Sequence, residues 1–444
     1  MLHHCVGGTN DCHIHFIQTF DGVASGTFDA PDHEYPSYLE LQLTATDPTN
    51  GLQTTTSVRL DPQTVTLTLQ STPAGVPLSI DGFTGATPFT YDVIIGSENT
   101  ISGPSQQAIG GRSYLFTAWS DGGAQSQSVL GGSAPATYTA TYTSAPVEAS
   151  KVTLSDTSPD APSLWTSGVQ PPAGAPAAAL AWIGSGSVQH LNVMTSTNGT
   201  SFGNKVTLSD SSFTTPSVLV VNSNIVVLAW TGKDSRHSLN VMYDVYGARK
   251  KVTLKESSPY APSLAYFNGQ IWLAWTGADG NRSLNVLRLG PTGLTAGAKT
   301  ILSQYHGGSA PRLVADDAGN QLLLTWTSTV GQHIALAASS DGTHWSTPAN
   351  PPSQTSISRP DVLAAVPAPA NGQTYYWAWT GTNSSHKLNL MFAPSLSFWS
   401  AAVTFNESSP KGPVLGYIGS SGNILLVWIG TDHTHRLNIA TIAP

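Results

Sequence analysis

The chain has 444 residues, of which only 10% are charged, and its net charge is −8 with 18 lysines and arginines spread along the sequence. No basic patch is present that could neutralise a run of phosphates, so the composition argues against a nucleic-acid-binding protein. No stretch approaches the ~18 apolar residues of a membrane-spanning helix. The 42 glycines and 30 prolines are typical of many short strands joined by turns. We therefore expect an all-β protein of several domains.

Residues 1–62 contain a predicted β-hairpin. Tyr38–Asp47 alternates apolar and polar residues with a period of two, a turn follows at Pro48–Gly51, and Thr54–Leu60 returns. This hairpin resembles the closing hairpin of PKD-like immunoglobulin-fold modules. The wider string CHIHF…FDGVASGTFDAPDHEYPSYLELQLTATD resembles a module appended to secreted glucose/sorbosone sugar dehydrogenases of the pyrroloquinoline-quinone type. The resemblance implies an immunoglobulin-like module without catalytic residues, truncated at its N-terminus.

Cys5 and Cys12 are separated by six residues near the start of the chain. This spacing, in a chain of secreted-type composition, predicts a local disulfide, with a metal pair or two free thiols as the alternatives. The composition leads us to expect a secreted or cell-surface protein. Because no apolar signal segment precedes the two cysteines, we interpret this chain as a fragment of a longer exported one.

His13 and His15 follow directly in the motif Cys12-His13-Ile14-His15. On a strand, both imidazoles would lie on one face, which is a workable copper or zinc pair. His33 could supply a third ligand, but nothing in the sequence places it nearby. We therefore expect no metal ion and no other cofactor.

Residues 63–147 form a second region of short predicted strands, separated by turns rich in glycine, proline and aspartate. The predicted strands are Thr64–Leu69, Val76–Ile80, Thr90–Ile95, Tyr114–Trp119 and Ala136–Tyr142. This pattern predicts a small immunoglobulin-like β-sandwich.

Residues 148–444 repeat. A tryptophan in an A-W-[TI]-G-like motif recurs at intervals of about 48, 45, 51, 53 and 49 residues, at Trp182, Trp230, Trp275, Trp326, Trp379 and Trp428. This period fits the four-stranded blades of a β-propeller and predicts six of them. The last unit stops after its third strand at Leu437–Ile439, so we predict that Lys151–Leu154 pairs there and closes the ring.

Two segments share the pattern S-x-[DN]-G-x-x-[WF], namely Ser196–Phe202 and Ser339–Trp345. They resemble degenerate Asp-boxes of sialidase-like (BNR-type) propellers and fall between the third and fourth strands of a repeat. The resemblance implies a structural turn, since such boxes lie on the face opposite a sialidase's active site.

Polar residues recur on the predicted face that bears the [DE]-[ST]-S-[PF] loops. The carboxylates of these loops, the aspartates of the hairpin tips and the histidines beside them are our candidate ligand-binding residues. They are Asp156, Asp210, Glu256, Glu407, Asp234, Asp279, Asp432, His237, His386 and His435. Such residues either satisfy backbone groups at turns or form repeated shallow pockets for sugar hydroxyls.

A catalytic residue should break the repeat, because chemistry occurs once. The residues that do so are Tyr305, His306, Arg312, Asp316 and Arg359, and they are the catalytic candidates if the chain is an enzyme. The sequence thus leaves three functions open: a carbohydrate-binding, lectin-like propeller whose partners are glycans, a glycoside hydrolase or lyase of sialidase-like fold, and an adhesion scaffold. We favour the first, because the acids of the repeat do not form a unique pair.

Overall fold

The computed structural model describes residues 1–5, 12–23, 25–168, 174–222, 224–349, 354–365, 372–396, 399–419 and 422–443. Strands, turns and irregular segments account for all of these residues, so the prediction of an all-β protein is confirmed. In this described part of the chain, no helix has the length and hydropathy needed to cross a membrane. Two compact units are present, Met1–Ser144 and Ala145–Pro444.

The first sheet of the N-terminal unit has the strand order β2-β1-β3-β4. Its strands are β1 (Leu2–Cys5), β2 (Cys12–His15), β3 (Ser37–Thr46) and β4 (Gln53–Leu60). The predicted hairpin is confirmed, because Leu39 pairs with Leu60 and Thr46 with Gln53. All of β4 is exposed and β3 is covered only at its start, so this sheet buries little apolar surface.

Two further sheets complete the N-terminal unit. The strands are β5 (Thr64–Thr72), β6 (Pro77–Ile80), β7 (Phe83–Ala86), β8 (Phe89–Ile94), β9 (Glu98–Ser102), β10 (Gln106–Ile109), β11 (Arg112–Trp119), β12 (Ser126–Leu130) and β13 (Ala136–Ser144). The sheet orders are β10-β11-β13-β5-β8 and β12-β9-β6-β7. A methyl group added at Gly103 would meet both Tyr142 of the five-stranded sheet and Leu78 of the four-stranded sheet that contains β6. The sheets therefore pack face to face around buried residues such as Leu67 and Ile80.

The C-terminal unit consists of antiparallel sheets that we call blades 1 to 6. Its first strand is β14 (Val147–Thr157). Blade 1 contains β15 (Ser163–Thr166), β16 (Ala178–Ile183), β17 (His190–Ser196) and β18 (Gly203–Ser211). Blade 2 contains β19 (Ser217–Val221), β20 (Ile225–Thr231), β21 (Ser238–Tyr243) and β22 (Lys250–Ser257). Blade 3 contains β23 (Ser263–Phe267), β24 (Gln270–Thr276), β25 (Ser283–Leu289) and β26 (Ala296–His306).

The remaining blades follow in the same manner. Blade 4 contains β27 (Arg312–Asp316), β28 (Gln321–Thr327) and β29 (Ile334–Ser339), with isolated bridges at Ala349 and Thr355 along its outer edge. Blade 5 contains β30 (Asp361–Ala364), β31 (Tyr375–Thr380), β32 (Lys387–Ala393) and β33 (Val403–Ser408). Blade 6 contains β34 (Val414–Ile418), β35 (Asn423–Ile429) and β36 (Arg436–Ala443), and β14 is its outermost strand.

The first strands of the blades form a closed inner ring. Each of β15, β19, β23, β27, β30 and β34 lies against the next, and β34 lies against β15. This arrangement of radial sheets around a channel is a β-propeller. The predicted closure is also confirmed, since Val152 pairs with Ile439 and Thr153 with Asn438. Pairing the two ends of the unit in one sheet leaves no unpaired gap in the ring.

The hydrophobic core lies between adjacent blades. One cluster joins Leu191 of blade 1 to Trp230 of blade 2, and another joins Trp272 of blade 3 to Trp326 of blade 4. The repeat tryptophans, on the second strand of each blade, are at most 3% exposed. Fully burying a large apolar side chain contributes about 1.5–3 kcal/mol, which explains why the tryptophan recurs.

The two S-x-[DN]-G-x-x-[WF] segments form the same turn. Oγ of Ser339 accepts the Gly342 N–H at 2.8 Å, and Oδ1 of Asp341 accepts the N–H groups of Thr343 and His344. Ser196 and Asn198 repeat this pattern in blade 1. The turns therefore satisfy their own backbone groups.

Candidate functional site

The repeated loop carboxylates are engaged in ion pairs between neighbouring blades. Each lies near the end of an outermost strand and contacts a lysine on the outermost strand of the next blade. The pairs are Glu407–Lys151, Asp156–Lys205, Asp210–Lys251 and Glu256–Lys299. Each lysine Nζ also lies 5.1–5.5 Å from the ring of its own blade's repeat tryptophan. These contacts give the four carboxylates a structural partner, while their role in ligand binding stays a prediction.

The hairpin-tip aspartates cap their own turns. Oδ1 of Asp234 accepts the Arg236 N–H at 3.0 Å, and Asp279 and Asp432 make the same contact two residues ahead. Hydrogen bonds with Thr434 and with backbone N–H groups lower the pKa of Asp432, because they favour its charged form. In blades 2, 3 and 6 these carboxylates therefore cap the turn that follows the second strand, while their role in ligand binding stays a prediction.

The histidines next to these aspartates occupy a strained turn position. His237, His386 and His435 have φ angles of 54°, 45° and 50°, and Arg282 has 52° in blade 3. In blade 1 the equivalent residue is Gln189, at 55°. The repeat at this position thus reflects a left-handed turn residue, and any ligand contact would be additional.

Three of the catalytic candidates have side chains with different surroundings. The Tyr305 hydroxyl donates to the Ser346 carbonyl oxygen, and its ring stacks on Trp326 at 5.1 Å. His306 is exposed at the end of β26. Asp316 is fully buried and accepts a hydrogen bond from the Tyr375 hydroxyl at 2.8 Å. The structure does not bring these residues into one active site.

Arg312 and Arg359, in contrast, lie close to each other where the inner strands begin. The six inner strands begin with Ser163, Ser217, Ser263, Arg312, Asp361 and Val414. Oγ of Ser217 accepts the Leu264 N–H of the next blade at 2.9 Å. Ser263 does the same for Leu313, at 2.9 Å, and Oδ2 of Asp361 does so for Leu415, at 2.8 Å. Side chains at this position therefore tie the inner strands of blades 2, 3 and 5 to those of blades 3, 4 and 6.

Arg312 changes that pattern, because a guanidinium group cannot accept a hydrogen bond. Its Nε donates to Oδ1 of Asp361 at 2.8 Å, and its Nη2 donates to the Leu164 carbonyl oxygen of blade 1 at 3.1 Å. Asp361 is 0% exposed and Arg312 is 8% exposed. The ion pair thus forms a charged layer across the channel.

A cavity of about 490 Å³ opens above this layer, on the face of the [DE]-[ST]-S-[PF] loops, and we call it the central funnel. Every blade contributes the loop that enters its first strand. The polar and aromatic lining residues are Asp160, Gln189, Phe213, Thr214, Thr215, Tyr260, Ser309, Ser358, Arg359 and Lys411. No two blades present the same pair of side chains here, so the funnel is asymmetric where the rim is repetitive.

The charges of the funnel are unequally paired. Nζ of Lys411 lies 3.7 Å from Oδ1 of Asp160, whose Oδ2 accepts the Thr215 N–H at 3.0 Å. Arg359 is 6% exposed, and its Nη2 donates to the Pro162 carbonyl oxygen at 3.4 Å. Among the described residues, no carboxylate lies within 4.0 Å of its guanidinium. Burial, and then the neighbouring Arg312, lower the pKa of Arg359.

The arrangement therefore favours a ligand rich in oxygen acceptors. Arg312, Arg359 and Lys411 face two carboxylates, Asp160 and Asp361, which leaves one excess positive charge. Asp160 is the single carboxylate among the described lining residues, and Asp361 is fully buried below them. Most glycosidases hydrolyse their substrate with two carboxyl groups about 5–9.5 Å apart, and the described lining contains only one.

Asp160, Tyr260, Lys411 and Asp361 were not predicted from the sequence as members of one site. A signal was present, because each inner strand follows a proline in the series P-S-L, P-S-V, P-S-L, P-R-L, P-D-V and P-V-L. Arginine and aspartate at one position of adjacent repeats indicate a pair across neighbouring blades.

In the N-terminal unit, the backbone places Cys5 directly opposite Cys12 at the end of β1 and β2. Their side chains lie outside the described residues, so the disulfide stays a prediction. His13 and His15 lie on β2 with ring centroids 4.6 Å apart.

No protein-family model and no curated protein matches the sequence. Solved structures do match. A protein of unknown function from Dyadobacter fermentans DSM 18053 is 11% identical, with 67% of this chain and 98% of that one covered and a TM-score of 0.48. AofleA from Arthrobotrys oligospora is 14% identical over 67% and 86%, at 0.45. A Hadza microbial sialidase is 12% identical over 88% and 80%, at 0.47. At these sequence identities and TM-scores, the function has to be inferred from this chain's own residues.

Proposed function

We propose that the chain is an extracellular carbohydrate-binding protein. Residues 148–444 act as a six-bladed, sialidase-like propeller whose central funnel holds one glycan without hydrolysing it. Two modules precede this propeller in the chain. Residues 1–62 form a PKD-like module, and residues 63–147 form a second immunoglobulin-like module. The assignment to an extracellular setting follows from the composition of the chain.

One observation carries the proposal: the central funnel combines a buried arginine that lacks a carboxylate partner among the described residues with a half-buried aromatic ring. Arg359 offers N–H donors to sugar oxygens, and Tyr260 offers a flat apolar face for a pyranose ring. Lys411 and Asp160 add a donor and an acceptor on the adjacent wall. A cavity of about 490 Å³ is of the size that small-ligand sites have.

The geometry also supports binding over hydrolysis. A glycosidase needs a proton donor and a second carboxylate, and the described funnel wall offers Asp160 alone. The two oxygens of Asp160 already accept hydrogen bonds from the Thr215 and Ala161 N–H groups.

The test is a glycan array on the full chain, followed by titration calorimetry with the best ligand. A single shallow site should give a Kd of order 10⁻³–10⁻⁶ M. Tyr260→Ala should weaken binding at least tenfold, since it removes the stacking surface while leaving the Tyr260 carbonyl that Thr231 contacts. Glu256→Ala, on the rim, is the matched control and should bind as the parent chain does.

Two results would contradict the proposal. If Glu256→Ala lowers avidity in part and Tyr260→Ala leaves it unchanged, the sites are the repeated rim pockets. If the parent chain releases reducing sugar from its ligand and Asp160→Asn abolishes that release, the protein is a glycoside hydrolase.

A further inference from the structure

The N-terminal unit gathers four histidines on one face of a β-hairpin. His4 on β1 pairs directly with His13 on β2, and His15 follows His13 at the next position on the same face. His33 reaches this face from the segment that precedes β3. Residues far apart in the sequence thus meet at one place, which is independent of the propeller and of its proposed function.

The four imidazoles form a closed circuit of ring contacts. The ring centroids are 4.2 Å apart for His33 and His4 and 5.1 Å apart for His4 and His13. They are 4.6 Å apart for His13 and His15 and 5.5 Å apart for His15 and His33. Such crowding of imidazoles has little value as packing, because each ring carries nitrogen atoms that need partners.

Three of these side chains have the spacing of a metal site. Each of His4, His15 and His33 offers a ring nitrogen, and these three atoms lie within 4.8 Å of one another. Tetrahedral zinc bound at 2.0–2.1 Å holds its nitrogen ligands about 3.3 Å apart. Small side-chain rotations, without movement of the strands, close that difference.

Within the described part of the chain, one buried ring nitrogen of the cluster makes no hydrogen bond. Nδ1 of His33 is buried and makes no hydrogen bond of acceptable geometry, although Oε2 of Glu34 lies 3.1 Å away. The same carboxylate oxygen lies 4.0 Å from Nε2 of His4. Glu34 therefore supplies a negative charge beside the imidazoles.

We propose that His4, His15 and His33 bind one divalent ion that prefers imidazole nitrogen, Zn²⁺ or Cu²⁺. His13 packs beside the site and Glu34 balances its charge. The ion joins β1, β2 and the segment before β3. This sheet needs such a link, because its apolar residues Leu43 and Val58 are 68% and 58% exposed and bury little surface.

The experiment uses the full chain after treatment with a chelator. Titration calorimetry with ZnCl₂, and separately with CuCl₂, should give one ion per chain for at least one of the two metals, and CaCl₂ should give none. His15→Ala and His33→Ala should each lower the affinity at least tenfold. His15 is exposed, so its replacement leaves the fold intact by circular dichroism. His344→Ala is the matched control, since that histidine is 92% exposed in the propeller.

Three results would overturn the proposal. The first is that neither Zn²⁺ nor Cu²⁺ binds, and the second is that His15→Ala and His33→Ala bind as tightly as the parent chain. The third is that alkylation of Cys5 and Cys12 abolishes binding in the parent chain while His15→Ala retains it, which would assign the metal to the thiols.

Discussion

Nε of Arg312 lies 2.8 Å from Oδ1 of Asp361, and this pair takes a position at which blades 1 to 3 carry serine. Serine hydroxyls at this position tie one inner strand to the next through a single hydrogen bond. The ion pair instead joins blades 4 and 5 and also reaches Leu164 in blade 1. The charged layer therefore supports the ring and forms the floor beneath Arg359.

Asp361→Ala should destabilise the propeller by about 3–5 kcal/mol, because it leaves the buried Arg312 charge without its partner. Urea denaturation followed by tryptophan fluorescence measures this, since the repeat tryptophans lie between the blades. Asp210→Ala is the matched control. It removes an ion pair whose lysine is 39% exposed, and should cost no more than about 1 kcal/mol. Equal losses in the two variants would contradict the structural role of the layer.

Gly342→Ala should destabilise the propeller more than Gly269→Ala. Both glycines have a positive φ, 74° and 72°, so both variants incur backbone strain of about 1 kcal/mol. A Cβ at Gly342 would lie 2.2 Å from the Trp272 ring of the neighbouring blade, whereas one at Gly269 would meet no atom within 4 Å. Overpacking should add about 1–3 kcal/mol at Gly342. Thermal unfolding of both variants measures the difference, and equal Tm values would exclude the steric contact.

The architecture of the propeller was predictable because one period governs it. The repeat tryptophans mark the second strand of every blade, and the truncated last unit indicated the pairing of Val152 with Ile439. The N-terminal region was less predictable. The alternating pattern of Tyr38–Asp47 predicted a half-buried strand, yet β3 is mostly exposed, and the described residues of 1–62 form a single sheet. Apolar and polar residues that alternate with a period of two indicate a strand, but they do not show what packs against its apolar face.

The funnel was harder to predict, because its residues belong to different repeats and converge only through the ring. Among the residues that break the repeat, Arg312 and Arg359 do belong to the funnel or to the charged layer below it. Tyr305 and Asp316 break the repeat for packing reasons instead, as the Trp326 stacking and the Tyr375 hydrogen bond indicate. In the N-terminal unit, His13 and His15 were recognised as a pair, but His4 and His33 join them through cross-strand register and a loop, which sequence spacing does not encode.

Asp81→Asn should stabilise the N-terminal unit at neutral pH. Burial raises the pKa of Asp81, and its buried Oδ2 atom has no hydrogen-bond partner among the described residues. A carboxyl group whose pKa is raised on folding opposes folding when ionised, so stability rises as the pH falls through the pKa of the folded state. Asparagine keeps the Oδ1 acceptor for the Thr100 N–H and tolerates the φ of 46°.

The pH dependence separates this cause from a general effect. The gain in Tm should be present at pH 7 and shrink as the pH falls through the pKa of folded Asp81, where the parent chain also carries a neutral side chain. Asp92→Asn, on an exposed hydrogen bond with Thr66, is the control and should lack that profile. A pH-independent gain for Asp81→Asn would show that the desolvated charge is not its source.

The central funnel should prefer a carboxylate-bearing sugar over its neutral counterpart. Arg359 has no carboxylate partner within 4.0 Å among the described residues, and the cluster carries one excess positive charge. A hydrogen bond to a charged group contributes about 1.5–3 kcal/mol, so a uronic acid glycan should bind at least about tenfold more tightly than the same glycan with its carboxyl reduced. Titration calorimetry measures both, and raising the salt should narrow the difference. Arg359→Lys keeps the charge but not the planar fork, and should lose most of this preference without unfolding. Equal affinities for the two glycans in the parent chain would show that Arg359 serves the ring alone.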